Sequence, residues 1–340
     1  MKKTQPKSKS PTEGMRTPDF RRSQLLIKNA EKLLGGKLIC YWNSENGAIT
    51  VDDAEAFRRL VPGTFERQKT LYLCLTSGGG SGLASLKIAQ LLRRHCDRLV
   101  VLVPTRAYSA ATMLALAADE IQLAPHANLS PVDTSVQHSL APVNQMNDMA
   151  SVGQDELARI VALWKKESIA KGQNPYPELW RYIHPLVIGA VDRANSMSLK
   201  LCDSLMAYHT TDADVRRRIA EVLTTGYPSH NYPILLPELQ RIGIQAKEMA
   251  PDLEGTLCKL HECYVEAGKL KRIDTDQDHH HDHEIATLIE CNGRMVLFRI
   301  NRDWYYRTEE HRWLPMHDEN NWYVAELQGK AVVERPLSIN

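Results

Sequence analysis

Apolar residues between about residue 23 and residue 250 alternate between short continuous runs and helical spacing. The run 99–103 is apolar and rich in valine, which is typical of a strand covered on both faces, and Pro104 ends it. A helix of small and apolar residues is predicted to begin directly after Ser109. A preceding strand at 70–77 leads through a glycine run into an amphipathic helix. These elements form a βαβ unit and predict an α/β core with parallel strands.

The same patterns predict the remaining elements and the organisation of the chain. A basic tail at 1–22 is expected to be disordered, and the core is expected to span 23–250 with a helical insertion at about 137–226. Residues 251–284 are interpreted as a helix followed by an acidic and histidine-rich linker, and the aromatic segment 285–340 as a small β-rich module. Predicted helices are 23–34, 51–60, 155–171, 177–209, 212–223 and 237–242, and further predicted strands are 37–42, 120–123, 127–129 and 244–247.

Composition narrows the possible partners and locations. The chain has 340 residues and a formal net charge of +1, so charge gives no reason to expect nucleic acid as a partner. Arg106 interrupts the longest apolar run, and a membrane span is not expected. Seven scattered cysteines are typical of reduced thiols in a cytoplasmic protein. The acidic and histidine-rich run 274–284 could bind a transition metal weakly, but the linker interpretation is preferred and no metal site is predicted.

Ser109 lies where a strand-to-helix turn would present its hydroxyl at the carboxyl end of the sheet. The next peptide N–H groups are first-turn donors without helical acceptors, and they can stabilise an oxyanion. A helix N-cap is the alternative role for this serine. The run Gly78-Gly79-Gly80-Ser81-Gly82 matches neither the dinucleotide spacing nor the P-loop. An oxyanion loop, in which bare backbone lies close to a substrate carbonyl, explains the glycines better than nucleotide binding.

Three motifs in this order resemble the Clp protease and signal peptide peptidase A superfamily of serine proteases. They are Leu75-Thr-Ser-Gly-Gly-Gly-Ser-Gly-Leu-Ala-Ser, Ala107-Tyr-Ser-Ala-Ala-Thr-Met and the segment 118–133. Within that superfamily the chain is most similar to the serine dehydrogenase proteinase family, over roughly residues 25–250. The resemblance implies a Clp/crotonase-like fold, a spiral of βαβ units, and a homo-oligomer. It also implies a peptidase that needs neither metal nor nucleotide and takes a peptide or protein as substrate.

The resemblance implies a role for each matching residue. Ser109 would be the nucleophile, the N–H groups of Gly79 and Ala110 would form the oxyanion hole, and Asp133 and His230 would complete a triad in the order Ser, Asp, His. Triads of different chain order share these roles. Signal peptide peptidases use a lysine as base, so Lys165, Lys166 and Lys200 are alternative bases.

Two other functions stay open from the sequence. A crotonase-type acyl-CoA enzyme would use the same paired N–H groups without a nucleophilic serine. A catalytically inactive scaffold could bind partners through the C-terminal aromatic module. Gly78 replaces the proline of Clp enzymes, and alanines follow Ser109 where relatives often have glycines, which keeps the scaffold in consideration.

Overall fold

Eleven strands form one twisted sheet that runs through most of the chain. This computed structural model describes residues 19–60, 66–132, 135–136, 138–141, 152–167, 174, 176–329 and 331–339. The sheet order is β15-β14-β12-β11-β1-β2-β3-β5-β9, with β10 beside β11 and β13 beside β12. The pairs from β1 through β2, β3 and β5 to β9 are parallel, and β11 to β15 add antiparallel strands. The α/β class expected from the sequence is confirmed.

The bounds of the elements follow the chain. The helices are α1 Phe20–Leu34, α2 Val51–Leu60, α3 Gly82–Arg94, α4 Ala110–Ala115, α5 Gln154–Glu167, α6 Tyr176–Leu179, α7 Pro185–Met206, α8 Ala213–Thr225, α9 Leu236–Ile242 and α10 Pro251–Gly268. The strands are β1 Lys37–Asn43, β2 Gln68–Thr76, β3 Cys96–Val103, β4 Arg106–Ala107, β5 Glu120–Leu123, β6 Asn128–Leu129, β7 Ser135–Val136, β8 Val152–Gly153, β9 Ala246–Glu248, β10 Lys271–Asp274, β11 His279–Cys291, β12 Arg294–Arg307, β13 Arg312–Asp318, β14 Asn321–Gln328 and β15 Ala331–Pro336.

Helices cover both faces of the parallel strands, which explains the apolar runs at 71–75 in β2 and 99–103 in β3. Helices α1 and α10 pack on one face, against alternate residues such as Cys40 and Leu102. Helices α2, α3, α4, α7 and α8 pack on the other, against residues such as Leu73 and Val101. In the part of the chain that the structure describes, no helix combines the length and apolar content needed to cross a membrane.

The predicted helix at 177–209 is interrupted in the structure. Helix α6 ends at Leu179, and α7 begins at Pro185 with His184 as its N-cap. Proline disfavours helical dihedral angles at the residue that precedes it, whereas proline itself is favoured in the first turn of a helix. The helix after Gly82, the strand end at Val103 and the helix start at Ala110 agree with the sequence.

The polar run assigned above to a linker lies partly in a strand. Residues 279–284 form the first half of β11, where His280, Asp282 and Glu284 are buried and the residues between them are half-buried. Burial that alternates at every second residue is typical of a strand. The sequence did not predict this strand, because histidine and acidic side chains are usually exposed to solvent. His280 packs against Trp304 and Trp313, and Arg272 binds Asp282 through two nitrogens. Strand β11 then pairs with β1, so the aromatic segment continues the same sheet.

A buried carboxyl group in β11 connects the antiparallel part of the sheet to helices α1 and α10. Glu290 in β11 is fully buried and accepts hydrogen bonds from the Ser23 hydroxyl, the Gln24 amide and the Tyr264 hydroxyl at 2.6, 2.7 and 2.7 Å. Burial raises the pKa of Glu290 to about 7, and these three donors oppose the rise.

Glu290→Gln is expected to remove part of the pH dependence of stability. The pKa of Glu290 in the folded state lies above the usual value of 4.5. Its contribution to the free energy of unfolding is therefore fully present below pH 4.5 and is lost as pH rises through 7. The loss is on the order of 3 kcal/mol. Unfolding by denaturant at pH 5 and pH 8 measures it: the wild-type free energy should fall relative to that of the glutamine variant. Glu266→Gln, on the exposed face of α10, is the control. Equal pH dependence in all three proteins would contradict this role.

Candidate active site

Ser109 occupies a strained turn between strand β4 and helix α4. Its dihedral angles are φ 52° and ψ −116°, in a region that side-chain-bearing residues rarely adopt. Such conformations cost about 1–3 kcal/mol and cluster at functional sites, where the surrounding structure holds them in place. A strained serine at a strand-to-helix turn is also the geometry of a nucleophile elbow.

Hydrogen bonds fix this turn from several sides. The Ser109 N–H donates to Ser130 Oγ at 2.8 Å. The Thr112 hydroxyl lies 2.8 Å from the Ala107 carbonyl oxygen and 2.9 Å from that of Ser130. The Ser85 hydroxyl of α3 donates to the Ala110 carbonyl at 2.7 Å. The backbone of residue 109 is therefore held independently of its own hydroxyl, which makes no cap bond to α4.

The glycine run folds directly against Ser109. Gly79 and Gly80 have φ of 108° and 138°. A Cβ built on Gly79 would lie 2.8 Å from Ser109 Cβ and 2.8 Å from the Tyr108 carbonyl oxygen, closer than real Cβ contacts. Gly79 is therefore required both by its backbone conformation and by the close approach of the two segments.

The glycine loop is paired along both of its edges. On one side the Ile49 N–H donates to the Gly79 carbonyl at 2.7 Å. On the other, the Ser77 N–H donates to the Arg106 carbonyl and the Tyr108 N–H donates to the Ser77 carbonyl. The Asp53 carboxylate accepts a hydrogen bond from the N–H of Thr50, which follows Ile49, and so fixes the backbone beside the loop. Burial raises the pKa of Asp53 to about 6.

The two amides expected to form an oxyanion hole both lie beside Ser109. Ala110 is the first residue of α4, so its N–H has no acceptor within the helix. The Gly79 N–H donates to Ser77 Oγ at 3.1 Å. A Cβ built on Gly79 would lie 3.4 Å from the Ala110 nitrogen. Gly79 and Ala110 thus both lie next to Ser109.

Gly79→Ala is expected to destabilise the fold by about 2–4 kcal/mol, because strain at positive φ adds to overlap with fixed backbone. The neighbouring Gly78→Ala is the matched control, since an added Cβ there meets nothing within 4 Å, and a change within about 0.5 kcal/mol is expected. Denaturant unfolding of both variants measures the difference. Equal stabilities would show that the close contact at Gly79 is not required.

His230 is exposed and lies on a loop. The chain that follows this loop pairs with β6 at Ile234. The Leu129 and Ile234 backbones exchange two hydrogen bonds of 3.1 and 2.9 Å, and β6, which contains Leu129, pairs with β4. The chain before Ser109 and the chain after His230 are thus joined through β6. Asp133 lies outside the described residues and directly follows Val132, whose N–H donates to the Leu223 carbonyl.

The alternative lysine bases lie on helices outside this turn. Lys165 and Lys166 belong to α5, and Lys166 is exposed. Lys200 on α7 is also exposed, with its Nζ 3.9 Å from Asp203 Oδ2. Lys166 and Lys200 therefore lack the burial on which activation of a lysine base depends.

The residues that hold the turn were not predicted from the sequence, in contrast to those proposed to react. Ser130, Ser77 and Thr112 lie within the quoted motifs, but small polar residues in such segments have many possible roles. Ser85 and Ile49 act through contacts between segments far apart along the chain. The motifs contain many small hydroxyl residues, and their number is a signal that could have indicated this role. The structure buries Thr76, Ser77, Ser85, Thr112 and Ser130.

Residues 46–162 match the model of the ClpP-like SDH-type serine proteinase family. The matched range contains the glycine loop, Ser109 and Asp133, whereas His230 lies beyond it. The resemblance stated from the three motifs is thereby confirmed, and it supports a peptidase at the level of the family.

Two uncharacterised proteins of Methanocaldococcus jannaschii are similar to the chain. One is 27% identical over 216 residues, covering 63% of this chain and 66% of the relative. The other is 27% identical over 203 residues, covering 60% of each chain. The chain thus spans less than two thirds of either relative. Among solved structures, a variant of the 1510-N membrane-bound stomatin-specific protease matches 66% of this chain and 83% of its own at 15% identity, with a TM-score of 0.38. A TM-score this low does not establish a shared fold.

Proposed function

We propose that the chain is a serine peptidase that cleaves peptide bonds through an acyl-enzyme on Ser109. The observation that carries the proposal is the strained backbone of Ser109 at the start of α4, with Gly79 packed against its Cβ. A structural N-cap needs neither feature, because caps use ordinary extended dihedral angles and a side-chain bond to the helix. The match of residues 46–162 to a serine proteinase family supports peptide hydrolysis as the reaction.

In the proposed reaction the Ser109 Oγ attacks the carbonyl carbon of the substrate while His230 accepts the hydroxyl proton. Asp133 orients the imidazole and stabilises its protonated form. The negative charge on the substrate oxygen is stabilised by the N–H groups of Ala110 and Gly79. In the free protein the Gly79 N–H is paired with Ser77 Oγ, and it exchanges that bond for the oxyanion. The proton on His230 then passes to the leaving amine, and water hydrolyses the ester by the same steps.

The wider expectations belong to the same proposal. The core is proposed to be a Clp/crotonase-like spiral of βαβ units, with the helices between 137 and 226 as an insertion. The protein is proposed to act in the cytoplasm as a homo-oligomer on peptide or protein substrates. None of these points is needed for the chemistry at Ser109.

The proposal is tested by incubating the full chain with unstructured peptides and determining new termini by mass spectrometry. Hydrolysis is expected, and pretreatment with a fluorophosphonate should abolish it. Turnover of an acyl thioester that survives fluorophosphonate treatment, without peptide cleavage, would favour a crotonase-type enzyme. The absence of both activities and of labelling would favour the scaffold.

A further inference from the structure

A cavity of about 580 Å³ opens at the carboxyl ends of strands β1 and β2. Its wall includes Trp42 and Thr76 from these strands, Arg106 from β4, and His261 and Val265 from α10. The volume falls within the range of roughly 300–1,000 Å³ typical of small-molecule sites. The carboxyl ends of parallel strands are also where α/β proteins commonly bind ligands.

This cavity lies on the opposite side of the sheet from α4. Trp42 belongs to the core cluster beneath α1 and α10, whereas Ala107 and Ala110 belong to the cluster on the other face. Residues of β4 alternate in direction, so Arg106 points away from the side on which Ala107 is buried. Neither Ser109 nor Gly79 lines the cavity.

Arg106 and Lys269 are the two cations among the residues that line this cavity. The described residues provide no ion pair for the half-buried guanidinium group of Arg106, although other arginines of the strands, such as Arg98 and Arg299, have one. His261 Nδ1 is buried and has no hydrogen-bond partner in the described chain. Burial, together with the nearby positive charge of Arg106, lowers the pKa of His261. One end of the cavity therefore presents a guanidinium group with no ion pair among the described residues, beside a neutral imidazole.

The remaining wall limits which anion fits. Glu45 and Glu284 balance the charges of Arg106 and Lys269 on the same wall, so the cavity has no net positive charge that would favour a dianion such as phosphate. Trp42, Val265 and Leu270 offer apolar surface to the body of a ligand. Ser44, Glu45 and Lys269 also line the cavity, and a bare hydrocarbon chain would offer these polar groups no hydrogen bond. A single carboxylate on a partly polar, partly apolar body meets all of these conditions.

We propose that this cavity binds the free carboxyl terminus of a short apolar peptide, with Arg106 pairing with the carboxylate. Arg-to-carboxylate pairs are among the stronger hydrogen-bonded contacts in proteins. The site reaches the Ser109 turn through the backbone, because the Arg106 carbonyl accepts from Ser77 N–H and Ser77 Oγ accepts from Gly79 N–H. The proposal concerns a second site and stands whether or not Ser109 is a nucleophile.

Titration calorimetry on the full-length Ser109→Ala protein tests this site without turnover. The probe is acetyl-leucyl-leucine, and its C-terminal amide is the matched ligand. Binding of the acid is expected to exceed that of the amide by at least about 10-fold, and Arg106→Gln should weaken the acid by about 10–100-fold. The control Arg94→Gln changes an exposed arginine at the end of α3, on the other face of the sheet, and should leave affinity unchanged.

A second variant keeps the test decisive if Arg106→Gln does not fold. Val265→Trp alters an exposed position on α10 at the cavity wall and should also weaken the acid, because the ring fills the space. Equal binding of acid and amide, or full affinity in whichever of the two variants folds, would overturn the proposal. Tighter binding of octanoate or inorganic phosphate than of the peptide acid would overturn its peptide assignment.

Discussion

Ser109→Ala should lower kcat/KM for peptide hydrolysis by about 10⁴-fold or more, because the acyl-enzyme cannot form without the hydroxyl oxygen. Folding should survive, since the turn is held by Ser130 Oγ, Thr112 and Ser85 and the Ser109 hydroxyl makes no cap bond. A change in unfolding free energy within about 1 kcal/mol is expected for this reason.

The measurement is an initial-rate assay on a fluorogenic peptide chosen from the cleaved pool, beside a denaturant unfolding curve. Ser196→Ala, on the exposed surface of α7, is the matched control and should retain wild-type rates. Wild-type turnover by Ser109→Ala would move the nucleophile to another residue. Lost turnover together with a large loss of stability would mean that residue 109 acts through the fold.

His230→Ala should lower kcat by about 10³–10⁴-fold. The reason is that the proton of the Ser109 hydroxyl then has no acceptor. Stability should change little, since the side chain lies on an exposed loop. The measurement is the same initial-rate assay, with all lysines left in place.

Lys200→Ala is the control for the base. Its Nζ lies in solvent near Asp203, so wild-type turnover is expected. Undiminished turnover by His230→Ala combined with a large loss in Lys200→Ala, or in the Lys165 or Lys166 variants, would replace the histidine base by a lysine.

The turn around Ser109 was predictable because its signals are local. An apolar run ended by proline, followed by small residues with helical spacing, places a strand end at Val103 and a helix start at Ala110, as observed. The glycines were equally informative, since only glycine tolerates the dihedral angles of Gly79 and its contact with Ser109.

Contacts between distant segments were not predictable from the chain alone. Glu290 was an unremarkable acid in a β-prone segment until the fold placed it against Ser23 and Tyr264. Strand β11 was concealed because His280 and Asp282, buried by packing against Trp304 and by pairing with Arg272, are polar residue types. The cavity beside Arg106 likewise depends on α10 returning over β1 and β2.

Peptide mapping of the fluorophosphonate adduct asks most directly whether residue 109 is the nucleophile. Intact mass should show one adduct per wild-type chain, and digestion should place it on the peptide that contains Ser109. Ser196→Ala should label like wild type, and Ser109→Ala should not label. An adduct on another serine, such as Ser77 or Ser130, or labelling that persists in Ser109→Ala, would contradict the proposed chemistry.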